Sequence, residues 1–266
     1  MKVLHIWNQA GVSSIISKWQ KKIGYESHVI VQGKHDPYHV GEYYNNETIY
    51  CGKVKFVLTA LKRCAEYDII HLHDAWFMIH LIKVRYPKKK IIMHYHGSMI
   101  RRSMKESRRV FWEKLVDKIL VATPDLLDFV YNLPPIYIPN PVDVELFHNT
   151  PHELNHKCLF TPKKNQSKNG TQRLLRENGI DLELSTAISV PYKELPEVLR
   201  CFEYFCDLPI VNNEIIAANS MMGLQAMSIG LKTIQHDFSI KSELPPNHHP
   251  EFTVKLLDKI YKDVSL

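Results

Sequence analysis

The chain lacks the patterns by which several functional classes are recognised. Its five cysteines (Cys51, Cys64, Cys158, Cys201 and Cys206) are odd in number and scattered, with no Cys-x-x-Cys pair. Neither a disulfide framework nor a zinc-ligand spacing is indicated, and all five are expected to be reduced. No segment reaches the roughly 18 consecutive apolar residues of a membrane span, and the opening apolar run, Val3 to Trp7, is too short for a secretory signal. A cytoplasmic location is expected. There is no Gly-x-Gly-x-x-Gly, no metal-ligand motif and no nucleic-acid-binding motif, so neither a metal nor a nucleic-acid partner is expected.

What is present is an ordinary globular composition: 266 residues, 45% hydrophobic and 23% charged, enough for two modest domains or one large one. The net charge of +6 is spread among 28 acidic residues, a balance that suits an anionic small molecule or a membrane surface as easily as nucleic acid. Two stretches stand out, Asp68-Ile69-Ile70-His71-Leu72-His73-Asp74 and Ile91-Ile92-Met93-His94-Tyr95-His96-Gly97. Each is a short apolar run ending in imidazoles. A parallel strand buried on both faces reads this way, and ligands sit beyond the carboxyl ends of such strands.

Apolar runs and helical spacings alternate along the first half, from the strand at Val3 and the glycine turn at Gly11 to a short strand at Ile136. That rhythm predicts a doubly wound parallel sheet. Gly11, between the first strand and the first helix, is a position where backbone can approach an anion. Thr123 is a predicted helix cap. The polar run His148 to His156 predicts a linker, which places the domains at 1–148 and 149–241, with 242–266 as a tail and one amphipathic helix of undetermined partner.

With these segments in hand the chain resembles the retaining nucleotide-sugar glycosyltransferases of the GT-B fold. The resemblance rests on the two histidine-ended strands, on Tyr137-Ile138-Pro139-Asn140-Pro141-Val142-Asp143, and on Leu224-Gln225-Ala226-Met227-Ser228-Ile229-Gly230. It implies an α/β protein of two Rossmann-like domains facing across a cleft, the second reduced. It also implies transfer of a hexose from a nucleoside diphosphate sugar to an acceptor hydroxyl with retention. The resemblance puts His96 near the transferred sugar and donor phosphates, and His73 with Asp74 on the acceptor side. In the second domain it implies donor contacts from Lys163, Lys168, Glu214, Ser220 and Gln225.

Two departures qualify this. Strict counting puts the family's paired glutamates at Ala217 and Gln225, with Glu214 upstream as a substitute for the first. The acceptor is expected to be a glycan, lipid or protein, and the basic segment Arg101, Arg102, Lys105, Arg108, Arg109 reads as a solvated helix face or, alternatively, as a dock for an anionic membrane. No metal cofactor is implied. A silent sugar-nucleotide or glycan-binding protein, or a sugar-nucleotide epimerase of the same fold, is the alternative.

Overall fold

A computed structural model describes the chain apart from residues 98–99, 102–106, 151–155, 163–165, 187–188 and 212–213, and apart from the side chains of 107, 108 and 211. The chain divides into two compact units. Met1–Pro141 joins with Pro250–Leu266, and Val142–His249 forms the second. The final helix, Pro250–Ser265, thus belongs to the first unit, where its face meets the helix Val12–Lys22. Gln20 donates to Tyr261 Oη, and the Tyr25 hydroxyl donates to Asp258. The second unit begins at Val142, ahead of the polar run expected to be the linker.

The first unit carries a seven-stranded parallel sheet. Its strands are β1 (Lys2–Ile6), β2 (Glu26–Gln32), β3 (Glu47–Ile49), β4 (Ile69–His73), β5 (Lys90–Tyr95), β6 (Lys118–Val121) and β7 (Ile136–Tyr137). They run in the order β3-β2-β1-β4-β5-β6-β7, so the order reverses where β1 meets β4. Crevices form at such reversals. Side chains alternate across the sheet. Leu4, Ile6, Ile70, Leu72, Ile91 and Met93 form one apolar face. The residues between them form the other, and there the chain has placed His5, His71, His73 and His94, all fully buried.

The second unit holds a five-stranded sheet in the order β14-β13-β10-β8-β9 and a hairpin of β11 with β12. These are β8 (Cys158–Phe160), β9 (Leu184–Thr186), β10 (Tyr204–Cys206), β11 (Ile210–Val211), β12 (Glu214–Ile215), β13 (Lys232–Ile234) and β14 (Ile240–Lys241). All pairs of the five-stranded sheet are parallel except β13 with β14.

Two local expectations change. Thr123 makes no side-chain cap, and Pro124–Phe129 is a 3-10 turn rather than an α-helix. The Thr123 hydroxyl instead accepts from Arg101. In the basic segment, the two residues whose side chains are described are both engaged within the unit. Arg109 is fully buried and paired with Glu113, and Arg101 is paired with Asp125 at 2.6 Å. Arg102, Lys105 and the Arg108 side chain lie outside the described residues.

Candidate functional site

Register assembles the histidines. His5 lies opposite His71, and His73 opposite His94, so four imidazoles from three adjacent strands share one face. His96 follows two residues after His94. Ring centroids lie 4.4 Å apart for His71 and His73, 4.3 Å for His94 and His96, and 5.1 Å for His73 and His96. His71 and His94, two residues before His73 and His96, thus lie on the same face as they do. His5 was not singled out, because one histidine inside a short apolar strand gives no periodic signal.

A chain of hydrogen bonds threads the row. His96 Nδ1 meets Asn140 Oδ1 at 3.1 Å, and His96 Nε2 meets His73 Nδ1 at 2.9 Å. His73 Nε2 meets His5 Nδ1 at 3.0 Å, and His5 Nε2 meets Gln20 Oε1 at 2.8 Å. Gln20 also accepts from Ser27 and donates to Tyr261, whose hydroxyl lies 2.6 Å from His71 Nδ1. Burial keeps the rings uncharged. It pushes His5 and His96 down to about 4 and the other three well below the usual imidazole range. A neutral ring carries one N–H donor and one acceptor nitrogen.

The strand ends carry unusual backbone. Trp7 after β1, Asp74 after β4 and Gly97 after β5 all have positive φ, at 79°, 54° and 106°. Non-glycine residues in that region store strain, which clusters at binding and catalytic sites. Asp74 uses this geometry to turn its buried carboxylate onto the His96 backbone N–H at 3.1 Å. Its second oxygen has no partner, and burial raises the carboxyl to about 7. A side chain at Gly97 would be strained at its φ of 106° and would require the Arg101 guanidinium to shift. Gly11 is buried at φ 82° and opens the helix Val12–Lys22.

His96, His73 and Asp74 are therefore brought together. His96 is the one with part-exposed surface, while His73 and Asp74 are enclosed behind it. In the second unit the predicted residues are more dispersed. Lys168 is exposed on the first turn of the helix Lys168–Glu177, which Ser167 caps. Lys163 lies outside the described residues, and Glu214 is exposed on the hairpin strand β12. Gln225 is buried, its amide 3.4 Å from the Tyr192 hydroxyl. Ser220 caps the helix Met221–Ile229 by accepting from Gly223 N–H at 3.1 Å.

Sequence reasoning passed over Asp207, at the end of β10. Its carboxylate accepts from Ser220 N–H at 2.8 Å and lies so close to Gly223 that a Cβ there would stand 2.0 Å away. A helix N-terminus attracts anions. Here the chain's own carboxylate already sits against it.

No protein-family model matches the chain, and no curated protein does. Solved structures do. An alpha-glucosyltransferase in complex with UDP and a 13-mer DNA superposes with a TM-score of 0.61 at 10% identity, covering 88% of this chain and 78% of that one. The Anabaena protein HepE in complex with UDP-glucose gives 0.60 at 10% identity, over 100% and 92%. UDP-GlcNAc 2-epimerase from Neisseria meningitidis, bound to UDP-GlcNAc, gives 0.52 at 12%, over 98% and 92%. The fold is GT-B. Identities this low establish two Rossmann-like α/β units and nothing of the reaction. The DNA in the first of these complexes stands partly against the expectation of no nucleic-acid partner.

Proposed function

We propose that the protein binds a nucleoside diphosphate sugar and transfers its hexose to an acceptor hydroxyl with retention of configuration. The observation that carries this is His96. It is a neutral, part-exposed imidazole just beyond a central strand, held at Nδ1 by Asn140, stacked on the His73 ring, and with its backbone N–H fixed by Asp74. Three restraints on one ring preorganise it, and a preorganised polar group at a strand end contributes to a transition state without reorganisation. Being uncharged, it suits packing against a sugar ring better than neutralisation of phosphate. That second task falls to Lys163 and Lys168. Transfer in this reading draws on no metal, and the neighbours' nucleotide sugars make UDP-glucose and UDP-GlcNAc the first donors to try.

A second reading has specific support. Gln225 is turned onto Tyr192, and Asp207 lies against the helix N-terminus. Both weaken a donor site in the second unit, as expected of a protein that binds sugar nucleotide or glycan without turnover. Calorimetry with UDP sugars and a nucleotide-release assay over glycan, lipid, protein and DNA acceptors separate the two. The transferase reading expects donor-dependent UDP release, lowered about 100-fold or more in His96→Ala. Binding without release or donor conversion selects the silent protein, conversion of the donor to its epimer without acceptor or nucleotide release selects the epimerase, and no binding of any nucleotide sugar sinks the transferase and epimerase readings.

A further inference from the structure

The hydrogen bonds of the imidazole row do not balance. Between Asn140 Oδ1 at one end and Gln20 Oε1 at the other lie His96, His73 and His5, joined by four links. Both ends are acceptors, so every link needs an N–H from a ring. Three neutral imidazoles carry one N–H each. One link therefore has no proton.

The ends decide which. His96 donates from Nδ1 to Asn140, and His5 donates from Nε2 to Gln20. His5 Nδ1 must then accept, so His73 donates to it from Nε2. His73 Nδ1 and His96 Nε2 are left as two lone pairs facing each other at 2.9 Å. Facing lone pairs repel unless a cation lies between them.

His94 supplies an independent observation. It is fully buried, and both of its ring nitrogens lack a hydrogen-bond partner. Its ring lies 4.3 Å from that of His96 and 5.4 Å from that of His73, and one nitrogen from each of the three rings falls within 4.8 Å of the others. Buried imidazole nitrogens are ordinarily satisfied.

We propose that His73 Nδ1, His96 Nε2 and a ring nitrogen of His94 form a three-imidazole site for a divalent cation of the zinc class. Three histidines with a fourth position left open is a set that suits Zn²⁺ and its spectroscopic substitute Co²⁺. The surroundings fit that use. Ligating histidines donate their other N–H to a carbonyl or similar acceptor, as His96 does to Asn140 and as His73 does through His5 to Gln20. At Zn–N distances of about 2.0–2.1 Å, tetrahedral ligand nitrogens stand about 3.3 Å apart, so His73 and His96 would separate by a few tenths of an ångström. Asp74, adjacent to His73 and bonded to the His96 backbone, has a buried oxygen without a partner and can balance the added charge.

Absence of a local spacing motif predicted no metal. The ligands come from two strands and the turn after one of them, brought together by register. The inference stands apart from the transferase reading, because metal binding is read without any nucleotide sugar.

The test is titration of the full, chelator-stripped chain with Co²⁺, followed by displacement with Zn²⁺. One Co²⁺ per chain with the visible bands of a tetrahedral nitrogen site is expected, with affinity at least tenfold weaker in both His94→Gln and His96→Asn and unchanged in His39→Gln. Circular dichroism checks that the variants fold, and His96→Asn, altering a part-exposed ring, keeps the test decisive should His94→Gln unfold. The proposal is overturned if no tetrahedral spectrum develops, as expected should either terminal amide be turned to supply the missing proton. It is equally overturned if binding survives both substitutions, or is lost in His71→Gln but not in His94→Gln.

Discussion

The two units bury polar groups in opposite ways. The first lines one sheet face with imidazoles that burial keeps neutral, bonded to one another and to Gln20, Asn140 and Tyr261. The second relies on carboxylates: Asp207 at a helix N-terminus, and Glu203 bonded to Lys232 at 2.7 Å and to His156 at 2.6 Å. A neutral ring escapes the cost of burying a charge but must find a partner for each nitrogen. A carboxylate finds partners readily but needs compensating charge. On the first unit's histidine face proton number decides; at these second-unit carboxylates charge does, as it also does at the first unit's buried Arg109–Glu113 pair.

Acid should produce the largest separation. In metal-free protein, His5 and His96 stay neutral in the fold down to about 4, whereas an unfolded imidazole takes its proton near 6.5. Their stability is complete above 6.5 and is lost as pH falls from there toward 4. Asp74 opposes this, because a carboxyl raised to about 7 takes its proton in the folded state first. At about 1.4 kcal/mol per pH unit of displacement, His5 and His96 together outweigh that one carboxyl, before the three other lowered histidines are counted. Glu203 behaves otherwise. Its bond to Lys232 holds it below the usual carboxylate value of 4.5, so its contribution is lost only below that. All four tryptophans (Trp7, Trp19, Trp76, Trp112) lie in the first unit. Tryptophan fluorescence should change between about pH 6.5 and 4, ahead of amide-exchange protection in Val142–His249. Coincident transitions below 4.5 would remove the contrast.

A smaller effect tests the row itself. Tyr261→Phe deletes the hydroxyl that meets His71 Nδ1 and accepts from Gln20, leaving His71 with neither nitrogen paired. Stranding buried polar groups costs about 1–3 kcal/mol. Urea midpoints should fall accordingly for Tyr261→Phe and less for Tyr192→Phe, whose hydroxyl meets Gln225 at a longer 3.4 Å. Equal losses would mean the row is not cooperatively bonded.

What the sequence disclosed follows the range of the interactions. Strand positions and the shared face of His71, His73, His94 and His96 are local, set by apolar runs and the period of two. The partners are not. His5 joins through strand register, Gln20 from the first helix, and Tyr261 from a C-terminal helix whose unit no local pattern could assign. The proton count needs all of them at once. Asp207 likewise reaches the helix start at Ser220 only through the sheet. Pro124–Phe129 is a 3-10 turn, and the Thr123 hydroxyl expected to cap it accepts from Arg101 across the unit.

The smallest effect bears on the second unit. A carboxylate against the N-terminus of Met221–Ile229 occupies the position where a diphosphate would gain most from the helix dipole. Asp207→Asn keeps an oxygen to accept from Ser220 N–H and removes the charge. A terminal charge of this kind is worth about 0.3–1 kcal/mol, so pyrophosphate or UDP should bind about 2- to 5-fold tighter to the variant in calorimetry. The gain should shrink with added salt. His96→Asn, altering the first unit's strand end, should leave pyrophosphate affinity where it was. If Asp207→Asn binds no more tightly, that helix end is not where anions are received, and the donor phosphates depend on the lysines alone.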